Sequence, residues 1–363
     1  MSAPFALEAH YTALPMRAQA AFAQLGDVAV RAEMARSVAL LSGSFSRRQV
    51  RGKTYWYFKH TDASGKQRQI YVGPDSPEIR RLVEEKQSSP QPDALRQLAK
   101  LAAVSGCQTT PSLHFRVIKR LSDYGFFRSG GVAIGSHAFI AYGNMLGVHW
   151  GGGSAAITMD IDFAHAGRSL SVALPADVEA NAGDAIESLK MGFVPLLGGS
   201  GGGAGSWVIP DTPEFTLDFV TPKTTTDGAP FKHEQLGVML QPLPFMEYSL
   251  EDVQQAVIFD MTGAVVLNVP HPARYALHKL IVFGERSGEH RTKSNKDLLQ
   301  SALLLHILRI QRPDEVEEAW RDLVSRGPGW RKRAKLGLDA IEKLWPDEGF
   351  ADWLQGAVKA SSN

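Results

Sequence analysis

Thr158-Met159-Asp160-Ile161-Asp162-Phe163 sets two carboxylates two positions apart in a run that alternates with apolar side chains. Alternate side chains of a β-strand share a face, so Asp160 and Asp162 are expected to project together while Met159, Ile161 and Phe163 enter the core. Phe215-Thr216-Leu217-Asp218-Phe219-Val220 repeats the alternation. If the two strands are neighbours, three carboxylates meet. Crowded like charges disfavour one another unless a cation neutralises them. Oxygen donors of this kind suit Mg²⁺ or Mn²⁺, which keep waters and substrate phosphates in their shells. Such a constellation serves metal-assisted phosphoryl transfer. An Asp-x-Asp pair also arises on loops and solvated faces, so its neighbours decide its meaning.

Upstream, Gly130 to Gly135 reads as a short apolar strand that ends in Gly135-Ser136, ahead of a helix over 137–146. A helix N-terminus offers unpaired N–H groups to an anion, and a glycine at the turn lets a phosphate approach the backbone. Further strand-like runs lie at 170–174 and 215–220. Nine glycines between Gly125 and Gly153 and six between Gly198 and Gly205 call for tight turns or close backbone approach. The second group lacks the Gly-Lys-Ser/Thr ending of a P-loop and reads as a flexible loop between the second and third aspartates. Beyond Pro270 the periodicity becomes helical, at 273–283, 296–310, 313–325 and 330–344. On the N-terminal side, 11–41 reads as one long helix or two, and 55–58 with 69–72 as a β-hairpin around Asp62-Ala63-Ser64-Gly65. Ser88 to Pro92 reads as a linker before a helix at 94–104.

Strand, Gly-Ser turn and helix, then Asp-x-Asp on one strand and a third Asp on a later one, resemble the nucleotidyltransferase superfamily typified by DNA polymerase β. The resemblance spans roughly residues 112 to 300. It implies that Gly135 and Ser136 hold a triphosphate, that Asp160 and Asp162 bind two metals, and that Asp218 completes the site and faces the attacking hydroxyl. Within the superfamily the chain is similar to the bacterial group that contains the AbiEii-type abortive-infection toxins. That group carries a Lys-Leu pair, here Lys279-Leu280, and then a basic stretch ending in Lys-Asp, here Arg291 to Asp297. More narrowly, Ala141 to Gly147 and Ser325 to Arg333 match signatures of a set of bacterial nucleotidyltransferase-fold proteins. The implied NTP-binding residues are Gly135, Ser136, Lys279, Arg291, Lys293 and Asp297, with Asp297 orienting Lys279 by an ion pair. Two departures stand out: a long gap from Ser136 to Asp160, and no arginine between Gly147 and Asp160. His149 could substitute, although a histidine beside Trp150 reads more readily as structural.

The expected fold class is α+β: a nucleotidyltransferase-fold mixed sheet with flanking helices, a small N-terminal helix and β-hairpin region, and a helical C-terminal domain. The expected boundaries are 1–90, 91–270 for the catalytic domain and 271–363. The implied activity is of the EC 2.7.7 type, moving an NMP from an NTP to an acceptor hydroxyl with pyrophosphate release. The alternative is a fold that has lost turnover and binds nucleotide or nucleic acid as a sensor or assembly component.

For the acceptor, a nucleic acid such as tRNA comes first, because residues 47 to 68 hold seven basic residues against one acid, Asp62. Arg47, Arg48, Arg51 and Lys53 interleave with Trp56 and its aromatic neighbours, as on a surface that tracks phosphates and stacks bases. A small sheet with merely solvated charges has the same composition. Arg326, Arg331, Lys332, Arg333 and Lys335 form a second cluster that reads as solvated helix surface. Bulk charge decides nothing, since 39 Lys and Arg face 38 Asp and Glu. A lone cysteine, Cys107, has no disulfide or zinc partner and fits a reducing compartment. With no signal-like start and no apolar run near the ~20 residues of a membrane helix, the expected place is the cytoplasm. The toxin-like resemblance also implies an antitoxin-like protein partner.

Overall fold

The computed structural model describes residues 6–40, 44–61, 67–87, 92–151, 159–166, 180–196, 205–223, 228–285 and 291–360. The N-terminal part begins with a 3₁₀ turn and strand β1 (Tyr11–Ala13), followed by helix α1 (Met16–Leu40). Tyr11 is therefore extended rather than helical. It pairs with Trp150 and leaves the helix to start after Pro15. Next come β2 (Ser44–Val50), β3 (Lys53–Thr61) and β4 (Gln67–Pro74), then α2 (Pro77–Gln87) and α3 (Pro92–Ser105). The expected hairpin is thus a three-stranded meander. Its extra strand, rich in Ser and Arg, is joined through Arg51 and Gly52, both at positive φ. Two consecutive positive φ values are what a tight hairpin turn matched to strand twist requires. The turn expected at Asp62 to Gly65 and the linker at 88–91 lie outside the described residues, as do 157–158, 170–174 and the glycines at 198–203.

The site-bearing part runs through α4 (Ser112–Asp123), β5 (Gly131–Ala133), α5 (Gly135–Met145), β6 (Val148–Trp150), β7 (Ile161–His165) and α6 (Ala182–Ser188). It continues as β8 (Val194–Pro195), β9 (Ser206–Ile209), β10 (Thr212–Pro222), β11 (Phe231–His233), β12 (Val238–Leu243) and α7 (Met246–Leu250). The mixed sheet has the order β11-β12-β10-β7-β5, with β9 pairing β10 and β8 pairing β9. β10 runs parallel to β7 and β12, while β5 is antiparallel to β7. The alternation in β7 and β10 buries Ile161, Phe163, Leu217 and Phe219. Phe126, Phe163 and Phe219 pack as a trio with ring centroids 5.3 to 5.8 Å apart. Met159 departs from the expectation: it is 39% exposed, because the strand begins only at Ile161.

A second hairpin, β13 (Val253–Asp260) with β14 (Gly263–Pro270), has no counterpart in the sequence-based expectation. It closes the gap between regions, since Phe259 shares an apolar cluster with Leu14, Ala18 and Leu25 of the N-terminal part and Ala99 and Ala102 of α3. Cys107 joins this cluster, donating its thiol to the Ala18 carbonyl at 3.3 Å, and burial raises its pKa. The chain finishes in α8 (Pro272–Glu285), α9 (Arg291–Gln311), α10 (Pro313–Ser325), α11 (Pro328–Leu344) and α12 (Phe350–Ala360). Proline opens α10 and α11, where its missing N–H costs nothing. One continuous apolar cluster links Phe115, Phe163 and Leu217 with Leu280, Leu304 and Leu354, so the helices rest on the sheet layer through a shared core. Among the described residues no helix is long and apolar enough to cross a membrane.

Candidate active site

The sheet supplies one wall. In the parallel pairing of β7 with β10, Asp162 stands opposite Asp218, so both side chains leave the same face. Asp160 lies one residue before β7 rather than inside it. It still joins them: one carboxylate oxygen from each of Asp160, Asp162 and Asp218 lies within 4.8 Å of the other two. Asp218 is fixed in place by two hydroxyls, accepting from Ser206 Oγ on β9 and from Thr216 Oγ1 at 3.2 Å. Three half-buried carboxylates with no thiolate or imidazole among them form a hard-oxygen donor set. That chemistry fits a divalent cation of the Mg²⁺ or Mn²⁺ type.

The turn between β5 and α5 faces these acids. Gly135 has φ of +61°, and a Cβ there would lie 2.2 Å from Asp162 Oδ2. Only glycine satisfies both conditions. The backbone N–H of Ile134 donates to the Asp162 carbonyl at 3.0 Å, which locks the turn to β7. Ile134 is the residue before α5, and its side chain makes no capping bond to the helix N-terminus.

Two helices form the opposite wall. Lys296, near the start of α9, donates to Ser136 Oγ at 2.8 Å. Burial and neighbouring Lys279 lower the pKa of its ammonium, whereas Asp160, Asp297 and Asp162 favour the charge. Lys279 on α8 pairs with Asp297 at 2.5 Å, its ammonium 4.9 Å from the Tyr275 ring centroid. The Tyr275 hydroxyl donates to the Gly135 carbonyl at 2.7 Å and so ties α8 to the glycine turn. Behind Ser136, the buried His137 shares a 3.0 Å hydrogen bond with His114. Its pKa is pushed down to about 3, first by burial and then by His114 and Lys296. His114 is lowered too, mainly by burial, so the pair is neutral near pH 7, one ring donating to the other.

The expected residues thus divide. Asp160, Asp162, Asp218, Gly135 and Ser136 converge with Lys279 and Asp297. Arg291 and Lys293 lie in the first turns of α9, with side chains outside the described residues. His149 sits in β6, its Nδ1 3.0 Å from the Gly106 carbonyl oxygen, in a structural role. The Ala141 to Gly147 signature is structural as well: Tyr142 donates to the Pro270 carbonyl at 2.6 Å, and Asn144 makes two bonds to the Gln108 backbone. Sequence reasoning singled out neither Lys296 nor Ser206 as a site residue. Lys296 carried a signal, as the lysine of the Lys-Asp pair. Ser206 carried only its place after the glycine run.

Arg47, Arg48, Arg51, Lys53 and Trp56 do not form one surface. Arg47 stands opposite Trp56, whereas Arg48 stands opposite Tyr55 on the other face and Arg51 occupies the turn. Trp56 Nε1 donates to Asp75 at 2.9 Å.

A mixed sheet presenting paired and third carboxylates beside a strand–glycine–helix turn defines a phosphoryl-transfer type of site. Residues 112–325 match the family described as Nucleotidyltransferase, and the chain belongs to that family. No curated protein and no solved structure matches the chain significantly.

Proposed function

We propose that the chain moves a nucleoside monophosphate from an NTP to an acceptor hydroxyl with release of pyrophosphate, using Mg²⁺ or Mn²⁺. The observation that carries this is the meeting of Asp160, Asp162 and Asp218 within 4.8 Å beside the glycine turn that opens α5. Asp160, Asp162 and Asp218 would hold the divalent ions. Such ions supply charge neutralisation at the phosphoryl oxygens and the leaving group when bound. The backbone at Gly135 and Ser136 receives the triphosphate, as the superfamily resemblance implies. Lys296, on Ser136, answers the missing arginine between Gly147 and Asp160: a cation reaches the turn from α9 instead of from the loop before the acids. Asp218, oriented by Ser206 and Thr216, faces the acceptor hydroxyl. The acceptor hydroxyl gives its proton to the Asp218 carboxylate it faces, and its oxygen bonds to the α-phosphorus as the bond from that phosphorus to the pyrophosphate oxygen breaks. A nucleic acid, tRNA among the candidates, is the acceptor we favour, and the NTP-rich, reducing cytoplasm suits both substrate and lone thiol.

Incubation with each α-labelled NTP and Mg²⁺ or Mn²⁺ in total cell extract, followed by separation of RNA, protein and small molecules, tests the reading. Label in one fraction that vanishes with Asp160→Asn is the expected result. Equal labelling by wild type and Asp160→Asn, or none with any NTP, overturns it.

A further inference from the structure

The meander β2–β3–β4 has two chemically different faces. Residues paired across strands share a face, and the register sets Arg48 opposite Tyr55, Ser46 opposite Tyr57, and Tyr57 opposite Tyr71. Lys53 and Lys59 alternate onto the same side as Tyr55 and Tyr57. This face therefore gathers three tyrosines and three cations. The other carries Phe45 against Phe58, and Trp56, which is bonded to Asp75. It also carries Gly73, whose missing Cβ makes room for Ile79 of α2. The Trp56 end of that face is thus met by the protein's own Asp75 and Ile79, while Ile70, opposite Phe58, is 48% exposed.

The tyrosine face is differently placed. Tyr55 and Tyr57 have ring centroids 6.2 and 5.6 Å from that of Tyr71, which is itself 54% exposed. Arg48 lies over the Tyr57 ring at 5.8 Å, and Arg48, Lys53 and Lys59 are exposed. Among the described residues none of these three cations, nor Arg51, enters an ion pair. The arginines of the helical part behave otherwise: Arg326 pairs with Glu251 and Asp322, Arg309 with Glu348, and Arg333 with Glu285. An open ring platform bordered by uncompensated positive charge is complementary to a strand whose bases stack and whose phosphates repel one another. A duplex hides its base faces, and a protein partner of this charge would have to be acidic and aromatic-binding at once.

We infer that the Tyr55, Tyr57 and Tyr71 face of this sheet binds single-stranded nucleic acid, with Arg48, Lys53 and Lys59 meeting the backbone phosphates. The binding stands on these residues alone. Its role as the surface that holds the acceptor rests on the transferase reading.

The test is fluorescence anisotropy with the full chain and labelled oligouridine, oligodeoxyuridine or duplex of roughly 16 nucleotides, near the upper site size of one stacking module. The expected result is binding of the single strands in preference to the duplex. Tyr71→Ala weakens it about tenfold, on the scale of losing one stacked base, whereas Tyr71→Phe keeps it. Replacing Arg48, Lys53 and Lys59 by serine flattens the salt dependence by about 0.7 per charge. Because all four side chains are exposed, these variants keep the fold. Arg331→Ser with Lys332→Ser removes two exposed charges that lack a ring platform and leaves binding unchanged. Asp162→Asn also binds as wild type does, so failure of binding and failure of transfer are read separately. Preference between oligouridine and oligodeoxyuridine, which share a base, identifies the sugar. No single-strand binding, or equal binding by the Tyr71→Ala and triple-serine variants, overturns the inference.

Discussion

Asp160, Asp162 and Asp218 are brought together by backbone, whereas Lys279 and Lys296 are brought together by side-chain reach. Strands paired in register stand about 4.8 Å apart, so Asp162 and Asp218 cannot separate without breaking the β7–β10 pairing. The lysines come from α8 and α9 on flexible stems, and each has found a partner: Asp297 for Lys279, Ser136 for Lys296. The acid wall is therefore held in an unfavourable arrangement by the fold, and the basic wall is half neutralised within itself. Crowded carboxylates of this kind are what the proposed divalent ions would act on, with Lys296 as a neighbouring cation whose charge Asp160 and Asp162 favour. Charge that is already paired marks where the fold is being held.

That contrast breaks first at the acids. Asp160→Asn, Asp162→Asn and Asp218→Asn are each expected to lower transfer by orders of magnitude, since each would take a charged carboxylate from the proposed cation site. Thermal unfolding in chelator should show no loss of stability, because removing one of three crowded charges relieves repulsion. Near-wild-type transfer by folded Asp218→Asn would sink the role of the third carboxylate.

The basic wall should split between its two lysines. Lys296→Ala is expected to cost about 10²-fold in rate, the scale of losing one electrostatic stabiliser, with little change in melting temperature. Lys279→Ala removes the ammonium that stands 2.5 Å from the buried Asp297, and removing one partner of a buried pair costs roughly 3 kcal/mol. Its main expected effect is on stability, measured by denaturant unfolding, and Asp297→Asn added to it should recover part of that loss. The reverse pattern, a rate loss at Lys279 without destabilisation, would return the triphosphate to Lys279.

The acid wall was legible in the sequence because a strand encodes direction: alternation with apolar neighbours told which way Asp162 and Asp218 point. Gly135 was legible because it ends an apolar strand directly ahead of a helix, where a glycine opens the backbone to approach, while its positive φ and its closeness to Asp162 belong to the fold. Lys296 was not, although it precedes Asp297, because its contact with Ser136 depends on how α9 docks on α5, and no periodicity records docking between helices. The β13–β14 hairpin escaped for a related reason. Its runs are buried on both faces, so period-two alternation is blurred. The β2 strand escaped because its side chains are polar and basic, as suits a strand of a sheet open to solvent.

Ser206 gives the finest test of the difference between the walls, because it acts on the acid wall without being an acid. Its hydroxyl and that of Thr216 bond different oxygens of Asp218, so together they hold the carboxylate in one rotamer beside Asp162. Ser206 stands opposite Asp218 in the antiparallel β9–β10 pairing, which makes its contribution one of position rather than charge. Ser206→Ala removes one hydrogen bond to a carboxylate, typically about 2 kcal/mol, and Thr216 remains to orient the side chain. The expected outcome is a severalfold fall in transfer rate with unchanged NTP affinity, far smaller than for Asp218→Asn. Ser206→Ala in an Asp218→Asn background should cost nothing further, since a positioning group has no effect once the group it positions is disabled. If the two losses multiply instead, Ser206 touches the substrate itself, and the acid wall includes a hydroxyl donor that acts in its own right.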